Sequence, residues 1–238
     1  MLWYKAWLET RSRFLICLIG ITALCSLSVY HGDRQALWFT GPDYYRYVLL
    51  SGHAMLCETW VLAVTLLMMG GLVREKAIGA SSFTLALPVS RRRLMAVRIG
   101  MGLLQAFTLA IVPSSAMFLI GSIFGKTRSI SQAAFCLALL LGGGLLFLAL
   151  ALLISSLIEG EYTAPLVSFG IVIAMTTLLA GQTLRVYSPL AFITGFEYLD
   201  KHTWLLRGPV PWLHIAAYLL LATALIIASV GVIERRQY

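Results

Sequence analysis

Charge is what this sequence has least of. Asp, Glu, Lys and Arg supply 12% of its 238 residues, half of the roughly 25% found in soluble domains. Hydrophobic residues make up 60%, gathered in runs of about 20, the length that crosses a bilayer as a helix. That combination excludes a sizeable soluble domain. Cysteine is nearly as uninformative. Cys17, Cys25, Cys57 and Cys136 all fall inside apolar runs, and none has metal-ligand spacing. No Gly-x-x-x-x-Gly-Lys-[Ser/Thr] stretch occurs, so there is no Walker-type nucleotide site. Nor is there a His-Glu-x-x-His pair or a Ser/His/Asp arrangement, and intramembrane hydrolysis has no visible machinery. The chain is expected not to be an enzyme. A cleavable signal peptide does not fit either. The N-terminal charged region extends to Arg13, and Phe14 to Tyr30 lacks a small-residue cleavage site.

What charge there is comes to a net +8. Basic residues on a polytopic chain collect in cytoplasmic loops. Nucleic-acid binding is not expected, since no basic stretch carries the interleaved aromatics of a stacking platform. The sequence predicts an all-α membrane protein of six spans, at 14–30, 48–72, 94–124, 130–158, 162–180 and 212–233. Residues 2–13 read as a separate interfacial helix anchored at headgroup level by Trp3, Tyr4 and Trp7. Pro113 is expected to kink the third span. Residues 181–211, with Pro189, Pro209 and Pro211, read as an external loop able to re-enter the membrane in part. With the N-terminus in the cytoplasm, eleven of the 18 Lys and Arg fall inside, six of them between Arg74 and Arg98. Both termini are therefore placed in the cytoplasm.

The segment 73–93 is the charged interruption between the second and third spans. Arg74, Glu75 and Lys76 stand where the second span leaves the membrane, Gly79 permits a turn, and Ser81 to Leu87 could lie as a short helix along the interface. Pro88 stops that helix, Ser90 could cap the next one, and Arg91-Arg92-Arg93 favour the inner leaflet. From the residues alone this is equally an ordinary basic membrane loop.

An acidic residue, then Gly, then an apolar stretch ending in Leu-Pro-x-Ser-Arg resembles the pattern of ABC-2 type permease subunits of ATP-binding-cassette exporters. Here it reads Glu75, Gly79, Phe83 to Leu87, Pro88, Ser90 and Arg91. The resemblance covers the chain in topology, with some 20 residues carrying the motif. It implies that 73–93 is a coupling loop docking on a separate ATPase, and that 2–13 is an elbow helix. The function implied is that of the membrane half of an ATP-driven exporter, located in a bacterial cytoplasmic (inner) membrane. Two permease subunits, identical or related, would form the pathway. Two ATPase copies would hold ATP and Mg, and this chain would hold no cofactor. Glu159 and Glu161, in a turn on the same side, would make a smaller ATPase contact or simply a solvated turn.

Within the spans, Glu58 stands out. An ionisable group in hydrocarbon costs about 2.5–3.5 kcal/mol and is a functional candidate by default. It is expected to face the pathway, a subunit interface or a neighbouring helix. His53 lies about 140° away around the helix and is expected near the outer interface in solvent. Gln105, Gln132 and Gln182 read as interhelical hydrogen-bonding groups, and Gly142-Gly143-Gly144 as a place for helices to approach closely. Two other functions compete: an ion-gradient-driven transporter, against which no internal repeat is visible, and a non-transporting scaffold or sensor using the same loop.

Overall fold

A computed structural model describes residues 2–36, 42–68, 91–123, 130–158, 163–179, 188–198, 200 and 209–235. Every regular element among them is helical. The elements are α1 (Leu2–Ala36), α2 (Pro42–Met68), α3 (Arg91–Ile123), α4 (Ile130–Leu157), α5 (Thr163–Leu178), α6 (Pro189–Thr194) and α7 (Trp212–Arg235), with a 3-10 turn at Phe196–Tyr198 after α6.

Four helices are long and apolar enough to cross a membrane, namely α1, α3, α4 and α7. By length and composition the chain is an integral membrane protein. The apolar described part of α2, Gly52–Met68, and that of α5, Leu166–Met175, are shorter than a full crossing. The structure also departs from the expected division at residue 13. α1 is one continuous helix of 35 residues, because nothing between Arg13 and Phe14 breaks it and Thr10 satisfies its hydroxyl on the carbonyl of Ala6. The expected interfacial segment 2–13 is the first third of this helix. α3 likewise runs through Pro113 as one helix of 33 residues.

A set of contacts between helices fixes their order. Trp3 packs on Gly100, and Gln105 Nε2 donates to Thr10 Oγ1 at 2.7 Å, so α1 and α3 run side by side in the same direction. Met68 meets Gly102, Trp60 Nε1 donates to the Ala106 carbonyl at 3.0 Å, and Met117 reaches Gly52. Those pairs make α2 antiparallel to α3. Arg98 Nη2 donates to the Met68 carbonyl at 2.7 Å, supplying a cation to the negative end of α2.

The centre of the bundle is the glycine triplet of α4. A β-carbon on Gly142 would lie 2.8 Å from Ile215 of α7, one on Gly143 would lie 2.7 Å from Phe192 and Ile193 of α6, and one on Gly144 would lie 2.4 Å from the Trp60 ring of α2. Three elements thus reach the α4 backbone at one level, midway along its 28 residues.

α7 shows how little hydropathy says about facing. Ile215, Ala222 and Ser229 recur every seven residues and are buried, while Leu213, Leu220 and Ile227 recur at the same interval and are exposed. Small residues on the inward stripe let helices approach where lipid supplies no hydrophobic drive. Hydroxyls on outward faces are satisfied by their own helix, as Thr177 is by Ile173 and Thr223 by Leu219.

Gly144→Ala is expected to lower stability by about 1–3 kcal/mol through overpacking against the buried indole. Gly20→Ala and Gly231→Ala, where a β-carbon meets nothing within 4 Å, should be close to neutral. Thermal unfolding of the three variants in one detergent checks this, and equal midpoints would contradict the packing.

Candidate functional site

Two regions of the bundle hold features beyond packing: a mid-depth cluster around α6, and the end of the bundle that carries the flanks of the 73–93 segment.

α6 is specified locally. Ser188, in extended conformation, caps it by accepting from the Ala191 N–H, Pro189 opens it, and Gly195 closes it at φ 70° with its N–H on the Phe192 carbonyl. Only glycine takes that left-handed conformation without strain. The result is a hairpin in which Ile193 is fully buried against Gly143 and Gly195 contacts Leu139. Further along, Tyr198 meets Phe135 edge-on at 6.2 Å. The hairpin tip reaches Gly143, 13 residues from the start of α4 at Ile130, which at 1.5 Å per residue is about 20 Å along the helix. Helix α6, within 181–211, therefore packs inside the bundle, on α2 and α4.

This burial changes the reading of His53. It was expected in solvent, but it is buried, with Nε2 3.5 Å from Cys57 Sγ one turn along α2. Cys57 Sγ in turn donates to the Ile193 carbonyl at 3.4 Å. α6 folds over the His53–Cys57 face of α2 and removes it from water. Among the described residues no group of three or more His, Cys, Asp or Glu could hold a metal ion, so the pair is a hydrogen-bonded contact between helix and hairpin.

Glu58 points the other way. It is exposed, together with Leu62 and Leu66 at successive four-residue steps on the outer face of α2. The expectation that His53 and Glu58 occupy different faces holds. Gln105 joins α1 to α3 as an interhelical group, while its Oε1 is buried with no partner. Gln132 is buried on α4, and Gln182 lies outside the described residues.

At the other region, Arg92 of α3 pairs with Glu234 of α7, through Nε to one carboxylate oxygen and through Nη2 to the other at 3.1 Å. With Trp3 on Gly100 and Arg98 on the end of α2, this contact gathers four chain positions at one end of the bundle. They are the start of α1, the end of α2, the start of α3 and the end of α7. Sequence reasoning assigned Arg92 to the lipid leaflet or the ATPase; its carboxylate partner, 142 residues away, leaves no local signal. Trp60, the residue around which α2, α3 and α4 close, was missed for the same reason.

Of the motif residues, Arg91 opens α3. Glu75, Gly79, Phe83, Leu87, Pro88 and Ser90 lie outside the described residues, as do Glu159 and Glu161. Trp3 and Tyr4 are exposed. Trp7 is half-buried and meets Phe14 edge-on at 5.7 Å, so it is partly held by its own helix. Lys5 and Glu9 pair at 3.8 Å one turn apart.

No family model matches this chain, and comparison with curated proteins finds no match.

The Arg92–Glu234 contact predicts a charge-swap result. Arg92→Glu and Glu234→Arg should each lower the melting temperature of the detergent-solubilised chain, and the double swap should recover most of the loss. A double variant no better than the worse single one would show that the pair does not join α3 to α7.

Proposed function

We propose that this chain is the membrane-spanning permease subunit of an ATP-driven exporter of the ABC-2 type, working as a pair and powered by two copies of a separate ATPase. In this reading α2 and α5 join α1, α3, α4 and α7 as the second and fifth spans. The end that gathers the start of α1, the flanks of 69–90 and the end of α7 faces the cytoplasm, where the positive-inside bias of the sequence puts it.

The observation that carries the reading is the position of the flanks of the motif segment. The Glu75…Leu87-Pro88-x-Ser90-Arg91 stretch leaves from the end of α2 and returns at the start of α3, and both flanks are fastened to the bundle. Arg98 holds the end of α2, and Arg92 ties the start of α3 to the end of α7. A partner pressing on a loop so mounted would move three helices together, which a lever for alternating access requires. The hairpin at α6 supports the same reading. It buries irregular backbone within the bundle, where such backbone is tolerated at membrane depth, and it stands at the opposite end from the loop. Glu75 and Gly79 would then shape the docking surface, Phe83 and Leu87 would fill an apolar groove on the ATPase, and Arg91 would hold the loop at the inner leaflet.

Two outcomes are expected. Affinity purification of the tagged full chain from its native membrane in mild detergent should bring down a Walker-motif ATPase, and altering residues 75–88 should release it. Recovery of a folded chain with no ATPase would turn the reading towards a gradient-driven transporter or a scaffold. In the intact complex, Glu75→Lys or a bulky residue in place of Gly79 should leave membrane insertion intact and separate ATP hydrolysis from transport. Unchanged coupling in the Glu75→Lys protein would sink the assignment of that loop.

A further inference from the structure

Aromatic side chains gather where the α6 hairpin meets α7. The Phe192 ring is buried, and three other rings stand around it. Tyr218 is tilted on it at 4.8 Å between centroids, His214 at 6.3 Å, and Tyr198 meets it edge-on at 5.9 Å. His214 and Tyr218 are one turn apart on α7 and so share a face. Tyr198 is set by the turn after α6, where its N–H donates to the Gly195 carbonyl at 3.0 Å. Phe135 of α4 also meets Tyr198 edge-on.

Packing explains only part of this group. Phe192 is its buried floor, a role that an apolar ring fills by itself. The members around it carry polar tips and reach the surface: Tyr198 and Tyr218 are half-buried, and His214 is exposed. Glu197 is exposed too, and its carboxylate is close enough to act electrostatically on both phenols. Tyr198 lies five residues along α4 from Ile130, and Tyr218 lies six along α7 from Trp212. At 1.5 Å per residue these are about 8 and 9 Å of helix, so the group is reachable from the end of the bundle opposite the 69–90 segment.

We infer that this junction binds an alkylated ammonium group, with the Glu197 carboxylate opposing its charge and the Tyr198 and Tyr218 rings covering its alkyl groups. The face of an aromatic ring is the negative part of its quadrupole and attracts a cation within about 6 Å of the centroid. Alkyl groups on the nitrogen suit the rings, because they give up water more readily than a small inorganic ion does. An anion would meet the carboxylate. The same ammonium chemistry occurs on free solutes and on lipid headgroups, and a site this near the bundle end is open to both. The inference does not depend on the exporter reading.

The test compares choline with 3,3-dimethyl-1-butanol, an uncharged molecule of the same shape. The full chain in a maltoside detergent is titrated with each, binding is read by saturation-transfer NMR, and empty micelles are subtracted. Choline should bind about fivefold or more tighter than the alcohol. Glu197→Gln, a change to an exposed side chain, should remove most of that preference. Tyr218→Phe keeps the ring and should retain it, whereas Tyr218→Leu should weaken it. Equal binding of the two probes, or an unchanged preference in the Glu197→Gln protein, overturns the site. Dihexanoylphosphatidylcholine, held below its micelle concentration, separates the two sources. Binding tighter than that of choline assigns the site to a lipid headgroup, and equal or weaker binding assigns it to a free solute. None of these readouts needs an ATPase, so their failure with an ATPase still co-purifying would remove the ammonium site and leave the permease reading standing.

Discussion

The rest of the bundle depends on one close approach, made where α4 has no side chains. Gly142, Gly143 and Gly144 form a bare surface nearly one turn long, and α7, α6 and α2 each press a bulky group onto it. In lipid, apolar surface is no incentive to associate, so contact depends on van der Waals fit and on hydrogen bonds. The triplet provides the fit. Ile215, Ile193 and the Trp60 ring come within reach of the α4 backbone only because no β-carbon stands in the way. Trp60 then carries the contact outward, since its indole N–H is spent on the Ala106 carbonyl of α3. Four elements are in this way fixed relative to one helix at one depth.

That arrangement separates the molecule into two ends held by different contacts. At one end the α6 hairpin is buried to mid-depth, closed by a left-handed glycine and held by the Cys57 thiol on the Ile193 carbonyl. At the other, Arg98 and Arg92 fasten the flanks of the 69–90 segment. α7 belongs to both: Ile215 near its start lies on the glycine triplet beside the hairpin, and Glu234 near its end lies on Arg92. α7 thus touches both the glycine triplet and Arg92.

Much of this was legible in residues read one stretch at a time. The apolar runs located the helices, and the Pro and Gly residues of 181–211 marked irregular backbone that the structure resolves into α6 and its turn. The glycine triplet was recognisable as a packing surface and Gln105 as an interhelical group. The division at residue 13 was not legible correctly, because aromatic and basic residues suit a headgroup-level helix and the start of a longer one equally well. His53 was misjudged for a different reason: its environment comes from a hairpin some 140 residues later in the chain. Arg92 and Glu234, each unremarkable locally, became a pair only when α3 and α7 were set side by side.

The sequence by itself determined that the chain is helical and built of runs apolar enough to cross a membrane, and that the motif segment is a charged interruption between two of them. These follow from composition and length, which act locally and need no partner. Which faces turn inward was decided only by the tertiary structure. In α7 the buried stripe is Ile215, Ala222 and Ser229 and the exposed stripe is Leu213, Leu220 and Ile227. Small residues on the inward stripe allow close approach, and at its first position Ile215 rests on the bare Gly142 of α4, a contact no local sequence reading reveals.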